Sequence, residues 1–157
     1  MVLAPIVRVR RTLIVLSCVV CLAGCSDKQT TAPTAPQTGN LTGTWAGPIA
    51  VEDMTAQMSW ALAQSNTSVS GPILISLPDG IVLLNGFLTG SVSGASLTYL
   101  ISVGPGGVPA RPTCTGQLNG TMAINLGASP TLVGPLNVVS SSCPLSFAGV
   151  TLTLTKR

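Results

Sequence analysis

The chain has 157 residues, room for one domain, and 46% of them are hydrophobic while only 7% are charged. The formal net charge of +3 resides at the N-terminus: beyond Gly24, four basic residues (Lys28, Arg111, Lys156, Arg157) balance four acidic ones (Asp27, Glu52, Asp53, Asp79). This balance excludes a basic nucleic-acid face, and the absence of histidine removes the commonest general base and the commonest metal ligand.

Arg8, Arg10 and Arg11 form a positive segment ahead of an apolar run at residues 12–22, which is too short to cross a bilayer as a mature helix. The run ends in Leu22-Ala23-Gly24-Cys25. These four residues resemble the lipobox of bacterial lipoproteins at every position. The resemblance implies cleavage before Cys25, a diacylglycerol carried on its thiol and acylation of its new amine. Several acyl chains anchor a protein stably where one holds it only marginally. The competing readings are an ordinary secretory signal with a chance cysteine, or a buried apolar helix. Ser26 stands where aspartate would imply inner-membrane retention in Gram-negative families, which points to the outer membrane, although Asp27 follows; in a Gram-positive envelope the choice does not arise. Residues 26–40 contain no large apolar side chain and repeat Thr-Ala-Pro, so they read as an extended tether. The expected organisation is a signal peptide at 1–24, a lipidated cysteine and disordered tether at 25–40, and one domain at 41–157. The chain is then a lipid-anchored envelope protein facing the periplasm.

From residue 41 onward the apolar residues recur with period two, the signature of half-buried strands. Leu41, Gly43, Trp45, Gly47, Ile49 and Val51 share one parity. Met58, Trp60 and Leu62 follow, then Ile73, Ile75 and Leu77. Residues 81–84 form a continuous apolar run leading to Phe87, Leu88 and Val92. Leu97, Tyr99, Ile101 and Val103 come next, then Leu118, Met122, Ile124 and Leu126, then Leu132, Leu136 and Val138, and finally Val150, Leu152 and Leu154. Residues 53–64 are the best helix candidate, but their alternation favours a strand. Turn residues separate the runs, and residues 104–112 form the one long loop. The pattern predicts an all-β fold: an antiparallel up-and-down meander of about eight strands, closed into a small barrel or folded into a sandwich. Glycine recurs inside these strands, as narrow coiling requires. Gly-Pro followed by Ile or Leu occurs at Gly47-Pro48, Gly71-Pro72 and Gly134-Pro135. Each proline should lie at a bulge or an edge, which argues against perfect closure and leaves the sandwich open. A transmembrane barrel is disfavoured, because Trp45, Trp60, Phe87, Tyr99 and Phe147 cannot supply two interfacial girdles.

Of five cysteines, Cys18 and Cys21 leave with the signal peptide and Cys25 takes the lipid. Cys114 and Cys143 remain in an oxidising compartment and read as one disulfide, worth roughly 3.5 kcal/mol on the chain-entropy model. A metal pair or a reactive thiol is the alternative, without histidine or CxxC spacing to support it.

Gly43-Thr44-Trp45 resembles the G-x-W opening of lipocalins, and the segment from Leu41 to Trp45 resembles the first strand of avidins. The resemblance implies a calycin-type up-and-down barrel in which a basic residue near the chain end, Lys156 or Arg157, packs over the first-strand tryptophan. Avidins grip biotin with several tryptophans, and only Trp60 is available besides Trp45, so biotin binding is not implied. No catalytic constellation is expected. A serine nucleophile has no histidine, the lysines lie at the chain end or in the tether, and Glu52-Asp53 would face opposite sides of a strand or form a solvated turn. No cofactor or metal is expected. Two readings remain. One is a barrel holding a small hydrophobic ligand among Met58, Trp60, Phe87 and Tyr99, each of which is otherwise core filling. The other is a structural lipoprotein with a filled core, engaging envelope proteins through strand edges or the 104–112 loop, where Arg111 is the one charge.

Overall fold

The alternation of apolar and small polar residues is realised as eight strands and no helix among the described residues, 39–144 and 150–157, of the computed structural model. They are β1 (Gly43–Val51), β2 (Met54–Ser65), β3 (Ser68–Ser76), β4 (Val82–Ser93), β5 (Ser96–Val103), β6 (Gly116–Asn125), β7 (Thr131–Ser141) and β8 (Val150–Lys156). Each strand pairs antiparallel with the next, and β8 returns to β1, which closes a barrel. The expectations for residues 1–38, Cys25 and the tether as far as residue 38 included, and for Phe147 lie outside the described residues.

Short turns follow from local chemistry. Glu52-Asp53 forms the β1–β2 turn, with Glu52 at φ 53°, rather than part of a strand. Asn66 (φ 55°) and Gly94 (φ 57°) supply the left-handed residues that tight hairpins need. In the β3–β4 connection, Asp79 Oδ1 accepts the Ile81 N–H at 3.0 Å. The long β5–β6 loop is ordered by its own backbone: Gly106 N–H donates to Pro112 O at 2.6 Å and Cys114 N–H to Arg111 O at 2.8 Å. Asn85 N–H donates to Gly107 O at 2.7 Å and ties that loop to β4.

The inward parity collects one apolar cluster running the length of the barrel, and no polar or charged residue is buried among the described residues. Trp45, Trp60, Met58 and Met122 are wholly inaccessible. An eight-stranded barrel is just wide enough for such side chains to meet across its axis.

The three Gly-Pro dipeptides do not open the wall, contrary to the expectation that they leave a sandwich possible. They behave alike. Pro48 keeps its pairing with Gln57 of β2, Pro72 with Phe87 of β4 and Pro135 with Thr151 of β8. On the opposite side of each dipeptide the ladder is interrupted: β1–β8 stops at Ala46–Thr155, β2–β3 skips Ala61 and Leu62, and β6–β7 skips residues 120–122. The register resumes unshifted beyond the last two gaps, so these are gaps rather than bulges. In each, the preceding glycine points inward. A Cβ there would run into a neighbouring carbonyl: Thr153 O at Gly47, Ala61 O at Gly71, Thr121 O at Gly134. The missing side chain lets the next strand pass close while proline removes a donor that has no partner, so the sheet bends sharply without separating. True register shifts occur elsewhere, at Ile75/Ser76 and Gln117/Leu118.

Candidate functional site

Three of the residues expected to line a ligand cavity lie in the core. Met58 and Trp60 are adjacent inward positions of β2, and Tyr99 meets Trp60 edge-on with ring centroids 5.0 Å apart. Phe87 does not join them. The inward parity of β4 belongs to Leu84, Leu88 and Val92, with Gly86 and Gly90 between them, so Phe87 points outward and is 51% exposed.

Tyr99 lies between two cross-strand glycines, Gly90 and Gly120. Its ring covers Gly120, and its hydroxyl donates to Pro135 O at 2.8 Å, on a carbonyl that the β6–β7 gap leaves without a ladder partner. Burial pushes the Tyr99 pKa well above the ordinary phenol value, so the hydroxyl stays a neutral donor. The stability this contributes is present below the ordinary tyrosine pKa and is lost as pH rises above it.

The two tryptophans differ in one respect. Trp45 Nε1 donates to Leu41 O at 2.8 Å, and Lys156 Nζ stands 5.6 Å from the ring centroid while donating to Asn40 O at 3.2 Å. Lys156, not Arg157, therefore covers the first-strand tryptophan. Trp60 Nε1 is buried without a hydrogen-bond partner. Trp45→Phe strands a buried acceptor, whereas Trp60→Phe removes a donor that already lacks one. Trp45→Phe should destabilise the domain by about 1–3 kcal/mol more than Trp60→Phe in urea unfolding. Equal losses would mean that Trp60 Nε1 has a partner in solution.

Cys114 and Cys143 form a disulfide across 29 residues, with Cα atoms 5.7 Å apart. It joins the end of the β5–β6 loop to the segment after β7. Arg111 reinforces the junction by donating from Nη1 to Pro144 O at 3.1 Å. Beside it lies a surface depression of about 600 Å³, formed where β5 ends (Ser102, Val103, Gly104), β6 begins (Thr115, Gly116, Gln117) and β7 ends (Ser140, Ser141, Ser142). A second, of about 400 Å³, sits over the β2–β3 gap between Thr44, Ser59, Ala61, Pro72 and Asn85. A third, of about 270 Å³, sits over the β6–β7 gap at Thr98, Asn119, Thr121, Pro135 and Asn137. Two of these three thus coincide with Gly-Pro gaps; of the four expected lining residues Tyr99 borders the third depression, and Met58, Trp60 and Phe87 line none of them.

The depression beside the disulfide did not stand out in the sequence. Its lining residues are uncharged and mostly small, they are spread over 40 positions, and only register brings them together. Comparison with protein-family models, curated proteins and solved structures finds no match to this chain.

Proposed function

We propose that the chain is a lipid-anchored envelope lipoprotein whose β-barrel is a non-catalytic interaction module with a filled core, rather than a container for a hydrophobic ligand. One observation carries the choice: the inward positions that would have to stay small around a cargo hold Trp45, Trp60, Met58 and Met122, all fully buried. A barrel that holds a ligand needs an apolar cavity of at least about 300 Å³. The depressions described above lie instead on the outside of the wall.

The outer face favours display in water. Hydroxyls and amides dominate it, such as Thr55, Gln57 and Ser59 on β2 and Thr151, Thr153 and Thr155 on β8, with Phe87, Val133 and Val139 as scattered apolar exceptions. A barrel inserted in lipid presents the reverse, apolar outward and polar inward. Anchoring would therefore fall to the lipobox Leu22-Ala23-Gly24-Cys25, with residues 26–40 as the tether. The G-x-W resemblance to lipocalins and avidins then bears on architecture and not on cargo.

The test is fractionation of cells expressing the chain and its Cys25→Ala variant. Wild type should sediment with membranes and the variant should become soluble, with a native mass equal to that of the polypeptide alone. A variant that stays membrane-bound would overturn the anchor, and a reproducible added mass would overturn the filled barrel.

A further inference from the structure

The outer face of β5, β6 and β7 carries two of the depressions described above, one beside the disulfide and one over the β6–β7 gap. Between and around them the register builds rows across the three strands. Ser102 pairs with Gln117 and Gln117 with Ser140; Leu100 pairs with Asn119 and Asn119 with Asn137; Thr98 pairs with Thr121. From the first row to the third is four residues of strand, about 13 Å. We propose that this face is a binding site for a neutral oligosaccharide.

The residue chemistry argues for that class. Among the described residues, the side-chain amides of Gln117, Asn119 and Asn137 and the hydroxyls of Ser102 and Ser140 have no hydrogen-bond partner, so this track of donors and acceptors is open to a ligand. A ligand satisfying it must both donate and accept at short intervals, as vicinal sugar hydroxyls do. No lining residue of either depression carries a charge, which leaves nothing to balance an anionic or cationic ligand. Peptide is the poorer fit. All three strands are already paired on both sides, so no edge is free to receive an added strand.

The site is also held in shape. Ser142 Oγ accepts the Thr115 N–H at 2.9 Å, Ser142 N–H donates to Thr115 O at 2.9 Å, and the disulfide closes the same corner. The register shift at Gln117/Leu118 leaves Val139 unpaired and 52% exposed beside Ser140. Bulges of this kind re-aim side chains next to binding sites, and here one supplies an apolar contact for the C–H face of a sugar ring. Exposed hydrogen bonds replace others made to water, so the affinity expected is weak, on the order of millimolar.

The experiment is a titration of the 15N-labelled full chain with maltotriose and, separately, N,N′,N″-triacetylchitotriose, both neutral, followed by amide chemical shifts. Saturable shifts should centre on β5–β7, around Gln117, Asn119 and Asn137. Asn119→Leu should weaken binding about tenfold. Thr55→Ala, on β2, should leave it unchanged. The proposal is overturned if neither sugar gives saturable shifts at tens of millimolar, if the shifts survive undiminished in Asn119→Leu, or if trialanine produces the same response. Cys25→Ala tests the anchor separately, so either reading can fail alone.

Discussion

Replacing both partners of the disulfide, Cys114→Ala with Cys143→Ser, should lower the unfolding free energy of the domain by roughly 3.5 kcal/mol. The bond closes a segment of 29 residues that includes all of β6 and β7, and its removal restores that much freedom to the unfolded chain. A domain of this size has a total stability of only about 5–15 kcal/mol, so the loss is a large fraction of it. The effect should be local before it is global. Cys114 is 2% exposed within the core, whereas Cys143 packs against the core but is only partly buried, so opening begins where the β5–β6 loop meets the chain after β7. Arg111 and its bond to Pro144 O hold the same junction, but a solvent-exposed contact of this kind does not replace the covalent one. Urea unfolding with and without reductant measures the difference. A loss under about 1 kcal/mol would show that the unfolded chain keeps this region together by other means.

Parity made most of the barrel legible. The large apolar residues of β2, β5 and β7 recur at every second position in the sequence itself, and their burial follows the same alternation. Phe87 is legible as an outward residue only when Leu84, Gly86, Leu88, Gly90 and Val92 are taken together: the glycines mark the inward face and Phe87 falls outside it. Closure was legible only in part. A Gly-Pro dipeptide states that one ladder donor is missing. Whether the gap opens the sheet depends on how closely the next strand's backbone approaches the glycine, and that distance is a tertiary quantity. The polar face was least legible. Ser102, Gln117 and Ser140 are ordinary outward residues until the register places them in one row. The one local sign was the run of small uncharged polar residues at Ser140, Ser141 and Ser142.

Gly71→Ala and Gly134→Ala should each destabilise the barrel by about 3 kcal/mol, more than a methyl group costs at an ordinary overpacked core position. The reason lies in what the added carbon meets. At Gly71 it runs into the carbonyl of Ala61, with the Leu62 Cα 3.2 Å away; at Gly134 it runs into the carbonyl of Thr121, with the Met122 Cα 2.9 Å away. A side chain in its way could rotate, but a backbone carbonyl moves only by carrying its strand with it, and the flanking pairs Trp60–Ile73 and Ala123–Val133 resist that. Gly80 provides the comparison, since it sits in a turn with open space around its Cα and at φ 90°, so Gly80→Ala should cost only the local backbone strain of about 1 kcal/mol. Thermal or urea unfolding of the three variants ranks them. If Gly71→Ala and Gly134→Ala cost no more than Gly80→Ala, the strands at the gaps have room to separate. Closure at the Gly-Pro dipeptides would then be looser than these contacts imply, and the depression over the β6–β7 gap, which borders Pro135, would widen with it.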